Sequence, residues 1–91
     1  MSGIAAQVSL YPLRQASLSS AIDQALQIFR EHGLSVEPGA MSTLITGDDA
    51  ALFAALQEAF RRVAEQGQVV MLVTLSNACP VSGKTTVELI A

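Results

Sequence analysis

The stretch SNACPVSGKTT, residues 76–86, ends in Gly83-Lys84-Thr85, a spelling that invites a phosphate-binding reading. A phosphate loop requires G-x-x-x-x-G-K-[ST] running into a helix, because consecutive backbone N–H groups and the helix N-terminus hold the phosphate oxygens together. Five residues before Gly83 stands Ala78, and the six residues after Thr85, TVELIA, alternate like a strand. Neither the first glycine nor the helix is there, so the motif is read as a strand leading through a loop to a short terminal strand. Cys79 is the single cysteine and His32 the single histidine, far apart in sequence. A nucleophilic pair, a disulfide framework and a cysteine-rich metal site are therefore not spelled, and Cys79 reads as an unactivated thiol.

Composition narrows the classes further. The chain is 51% hydrophobic and 14% charged, with a mean hydropathy of +0.43, against a charged share of about 25% in typical domains. For 91 residues, which make one small domain with a modest core, this is more apolar surface than a lone copy hides. A homodimer or homotetramer is expected to cover it. The net charge of −3 and five scattered basic residues argue against nucleic acid, which demands clustered Lys and Arg. No run approaches the ~18 apolar residues of a membrane span, and the N-terminus lacks a basic leader; the expectation is a cytoplasmic protein with no membrane insertion.

The periodicities name the elements that must position any site. Ile4 to Leu13 alternates as a strand, with Ala6, Val8 and Leu10 on one face and Gln7, Ser9 and Tyr11 on the other. Ser17 or Ser19 can cap a helix whose Leu18, Ile22, Ala25, Leu26 and Phe29 recur at helical spacing, and Gly33 stands where a left-handed residue closes it. His32 falls in the last turn, where a partial positive charge suits the dipole. Two short strands, LSV and AMSTLIT, flank a Pro38-Gly39 turn. Asp48 caps a second helix reaching Gln66, with Leu52, Phe53, Leu56, Phe60, Val63 and Ala64 inward and Glu58 paired with Arg62 outside. QVVMLVTLS then reads as a strand covered on both faces.

The order β-α-β-β-α-β with right-handed crossovers gives an α+β ferredoxin-like plait: a four-stranded antiparallel sheet, both helices on one face, and a short further strand from Thr85 to Ile90. Residues 1–91 form a single domain in this reading. The helix-free face carries Val70, Leu72, Thr74 and Ser76 of the last core strand beside Gln7, Ser9 and Tyr11.

Three segments, VSLYPL in the first strand, MSTLITGD entering the second helix and GQVVMLVTLSNACP through the last core strand, resemble the YkoF-like thiamine- and hydroxymethylpyrimidine-binding proteins. The resemblance implies a plait that binds thiamine or its hydroxymethylpyrimidine precursor without catalysis and without a cofactor or metal, in thiamine uptake, salvage or buffering. Some relatives carry two such domains in tandem, so a single-domain member would reach that geometry as a homo-oligomer. Carried across, it singles out Ser9, Tyr11, Ser42, Thr43, Ser76 and Asn77 as ligand-binding, with Pro12, Gly47, Cys79 and Pro80 beside them. Their chemistry agrees: hydroxyls and an amide match the ring nitrogens and exocyclic amine of an aminopyrimidine. A thiazolium could rest on Tyr11 or near Glu37, Asp48 or Asp49. One pocket is expected, in which Ser76 and Asn77 face Ser9, Tyr11 and Thr43.

Two other functions fit a chain of this kind. An acylphosphatase-like small hydrolase would use Arg14 in the loop after the first strand, YPLRQAS, but the glycine-rich cradle that stabilises the transition state is missing from it. The other is a ligand-sensing or assembly domain that binds an amino acid at an oligomer interface.

Overall fold

Alternation of apolar and polar side chains and two helical stripes generate six elements in the computed structural model, which describes residues 3–14 and 18–78. They are β1 (Gly3–Leu13), α1 (Leu18–Glu31), β2 (Ser35–Pro38), β3 (Thr43–Asp48), α2 (Asp49–Ala64) and β4 (Gln68–Ser76). The strands lie in the order β2-β3-β1-β4, each neighbouring pair antiparallel. This is the α+β ferredoxin-like plait. Cys79, the Gly-Lys-Thr stretch and the expected strand at Thr85 to Ile90 lie outside the described residues, as does Ser17.

The core sits between the sheet and the helices: Ala6 and Val8 of β1, Ile45 of β3, Ala25, Ile28 and Phe29 of α1, and Leu52, Ala55, Ala59 and Val63 of α2 are all buried. Four inward assignments fail. Leu18, Phe53, Phe60 and Ala64 are exposed; on α2, alanines at 55 and 59 take the centre of the stripe and let its backbone approach the sheet. That rotates the two phenylalanines onto the flank. Strand β4 is also covered on one face only: Val69, Met71 and Val73 pack on the core, whereas Val70 and Leu72 are 51% and 60% exposed.

The ends of the helices behave as their residues dictate. Asp48 takes an N–H bond from Ala51 at 3.2 Å and so caps α2. At the end of α1, Gly33 has φ of +80°, and its N–H reaches the Arg30 carbonyl at 2.9 Å while that of Leu34 reaches Phe29 at 3.2 Å. These are the two bonds of a Schellman turn. The turn drives Leu34 into the core, where its Cδ2 occupies the space a side chain at Gly47 would take: a Cβ there would lie 2.6 Å from that atom.

Between the hairpin strands, Pro38 ends β2 and Gly39 N–H bonds the Ser42 carbonyl at 2.8 Å. The connection is thus the four residues Gly39 to Ser42, longer than the Pro-Gly turn the sequence suggests. It fixes which hydroxyls share a face.

Candidate functional site

Opposed residues of antiparallel strands project to the same face, so the register places each candidate side chain. Ser9 is opposite Leu72 and Tyr11 opposite Val70, all on the helix-free face. Ser42 joins them at the hairpin, its Oγ accepting a bond from Gln7 Nε2 at 3.0 Å. Thr43 is opposite Val8, which is buried under the helices; Thr43 therefore points to the other side of the sheet. Ser76 is opposite Ala5, four residues along the strand from Ser9's partner Leu72, or about 13 Å at strand spacing. Asn77 follows at the same end. The single pocket expected from sequence does not assemble within one chain.

The six residues instead divide among three places. Ser9, Tyr11 and Ser42 lie on the open sheet face. Ser76 and Asn77, with Ile4, Asp49, Phe53 and Leu75, line an open groove where β4 ends beside the start of α2. There Ser76 Oγ is already engaged, accepting a bond from the Ala78 N–H at 3.1 Å. Thr43, with Ser42, borders a cleft beneath α1.

That cleft was missed by sequence reasoning. Val8 and Leu10 form its floor, Ile22, Ala25, Leu26 and Phe29 of α1 its roof, and the loop from Gly39 to Thr43 its rim. Each of the first six reads as ordinary core in the sequence. The signal that could have found it is the loop: a four-residue connection with small residues and Met41, 84% exposed, cannot fill the gap that α1 leaves over the hairpin. The cavity measures about 110 Å³. An apolar cavity of about 150 Å³ takes up benzene; this cleft is smaller and open at its rim.

Every residue lining the cleft is neutral. Its polar groups are the Thr43 hydroxyl and the loop's backbone amides and carbonyls, a mixture of donors and acceptors around apolar walls. Among the described residues no group of three His, Cys, Asp or Glu side chains is placed to hold a metal, and no helix is long and apolar enough to cross a membrane.

The ionic chemistry lies elsewhere, on the outer helix layer. His32 Nε2 is 2.8 Å from Glu58 Oε1, and Arg62 Nη2 donates to Glu58 Oε2 at 3.2 Å. The hydrogen bond with His32 holds the Glu58 carboxyl below its usual range, helped by the Arg62 charge and opposed by partial loss of hydration. His32 therefore ties the end of α1 to α2, a role beyond the dipole interaction its position suggests.

With this geometry in place, comparison with known proteins is decisive for kinship: the sequence profile of the YKOF-related family matches residues 3–82. The chain belongs to the YKOF-related family. It is 36% identical over 64 residues to the UPF0045 protein MJ1052 of Methanocaldococcus jannaschii, a match spanning 69% of this chain and 64% of that protein's length. A crystal structure of MJ1052 superposes with a TM-score of 0.78 at 29% identity, covering 96% of this chain and 90% of the other. A Bacillus cereus domain of unknown function, DUF77, superposes at 0.73 and 20% identity over 88% of this chain and 82% of its own. A Thermotoga maritima protein provisionally assigned to thiamine biosynthesis or salvage, TM0486, superposes at 0.72 and 18% over 91% of this chain and 89% of its own. The last two share the fold. This YKOF-related chain thus carries the plait with a small apolar cleft beneath its first helix.

Proposed function

We propose that this protein is a non-catalytic, cytoplasmic binder of thiamine or its hydroxymethylpyrimidine precursor, serving thiamine uptake, salvage or buffering, and that the aminopyrimidine ring enters the cleft beneath α1. The observation that carries this reading is the cleft itself: a small recess open at its rim, with apolar walls and Thr43 at its mouth. A neutral heteroaromatic ring gains from burial against Leu10, Leu26 and Phe29, and its nitrogens and exocyclic amine find partners in Thr43 and the loop backbone. The provisional assignment of the Thermotoga maritima relative to thiamine biosynthesis or salvage supports the same ligand class. Neutral walls suit recognition of such a ring better than hydrolysis of an acyl phosphate, whose transition state calls for charge or converging N–H groups. The working unit is a homodimer or homotetramer, in keeping with the exposed Tyr11, Leu44, Val70 and Leu72 of the helix-free face.

Isothermal titration with hydroxymethylpyrimidine, thiamine and an amino-acid panel tests the reading. Loss of one hydrogen-bonding partner costs about 1 to 3 kcal/mol, so Thr43→Val should weaken pyrimidine binding about 5- to 150-fold with circular dichroism unchanged. Binding of neither pyrimidine nor thiamine by the unmodified protein would overturn it, and heat from an amino acid alone would favour the sensing domain instead.

A further inference from the structure

The walls of the cleft beneath α1 are of two kinds. Floor and roof are strand and helix side chains tied into the core, whereas the rim is the hairpin loop, in which Met41 alone carries a long side chain. Met41 lines the cleft and is nonetheless 84% exposed, more than any other large apolar side chain among the described residues.

The base of that loop is pinned. Gly39 N–H bonds the Ser42 carbonyl at 2.8 Å, a closure so tight that a Cβ on Gly39 would lie 2.8 Å from the same oxygen. From the open sheet face, Gln7 holds the Ser42 hydroxyl at 3.0 Å. Ala40 and Met41 form the tip between these anchors. Carrying the methionine across the mouth therefore calls for side-chain rotation alone, which an unbranched thioether with three rotatable bonds allows.

The size of the cleft gives that rotation a use. Its volume of about 110 Å³ is below the ~150 Å³ that encloses benzene, so a six-membered ring seated against Leu10, Leu26 and Phe29 keeps one edge in the open mouth. Sulfur beside the edge of an aromatic ring is a favourable contact.

We propose that Met41 is a lid, lying in solvent while the cleft is empty and folding over the open edge of an aminopyrimidine ring once one is seated. The lid rests on the reading of the cleft as the pyrimidine site and adds the residue that retains the ring there. Removing it should speed release more than it slows entry.

Peroxide footprinting of the full chain reads closure directly. Hydrogen peroxide gives one oxygen atom to an accessible thioether sulfur as its O–O bond breaks, leaving the sulfoxide and water. Residue-resolved mass spectrometry follows Met41, with half-buried Met71 on the core side of β4 as internal reference. Without ligand, Met41 should oxidise faster than Met71. A sulfur–ring contact corresponds to a factor of about two to ten, so saturating hydroxymethylpyrimidine should slow Met41 by at least that much and leave Met71 unchanged. In titration, Met41→Ala should weaken hydroxymethylpyrimidine binding by about the same factor. Bound pyrimidine with undiminished oxidation at Met41, or unchanged affinity in Met41→Ala, would overturn the lid and leave the pyrimidine site standing. No binding by the unmodified protein would overturn both. Slow oxidation of Met41 without ligand would also overturn the lid, and a rate that rises on dilution would assign the residue to a contact between copies.

Discussion

The two helices cover the sheet unequally. Beneath α2, Leu52, Ala55, Ala59 and Val63 are fully buried, and the small alanines bring helix and sheet into close contact. Beneath α1, the larger Ile22 and Leu26 stay partly exposed and border an empty cleft over the hairpin. One half of the layer is filled and the other is hollow. Both helices present alanines to the core, Ala21 and Ala25 on α1 and Ala55 and Ala59 on α2, so the difference lies at the hairpin end of α1, where Ile22 and Leu26 border the loop. The filled half supplies stability, and the hollow half leaves room for something that is not protein.

Substitutions can break that contrast or sharpen it. The largest effect on folding belongs to the filled half, where Leu52→Ala leaves a cavity among rigid neighbours and should cost about 2 to 5 kcal/mol in denaturant unfolding. Any surviving folded protein should bind pyrimidine as before. In the hollow half, Leu26→Phe turns a ring toward space already empty. Its unfolding midpoint should stay close to that of the parent, while pyrimidine affinity falls by at least about tenfold, or 1.4 kcal/mol, in titration.

Asn77→Ala tests the far end of the molecule. Ile4, which shares the groove with Asn77, lies four residues along β1 from Val8 of the cleft, about 13 Å at strand spacing. One small ligand cannot span both, so affinity should be unchanged; a loss comparable to that of Thr43→Val would relocate the site to the groove. The smallest effect concerns the seam between the halves. Glu58 is held below its unfolded range by His32, so its contribution is present above the unfolded carboxylate range and fades as pH falls through the lower folded value. Glu58→Gln should remove that part of the acid-side loss, seen as a shallower decline of melting temperature below the carboxylate range.

Much of the fold is legible in the sequence because it rests on short-range periodicity. The alternation of Ala6, Val8 and Leu10, the cap at Asp48 and the glycine at 33 each act within a few residues, and the structure honours all of them. The site is less legible because it depends on register. Ser42 and Thr43 are adjacent, yet one bonds Gln7 on the open face and the other sits opposite buried Val8. A shift of one residue in the hairpin loop exchanges them. The misplacement of Phe53 and Phe60 has a related cause: large apolar residues draw the inward assignment, but the stripe that meets the sheet is chosen by how closely the backbones can approach, and alanine wins that contest.

The contact between Leu34 and Gly47 joins two positions thirteen residues apart into a single choice. Because the leucine methyl fills the volume that the glycine leaves, the two positions are coupled: a side chain at 47 requires the Leu34 methyl to move or be replaced by a smaller group, and a smaller residue at 34 opens a hole that a larger one at 47 can close. The pair therefore constrains sequence divergence as a unit, and its two members should be exchanged together when this plait is redesigned.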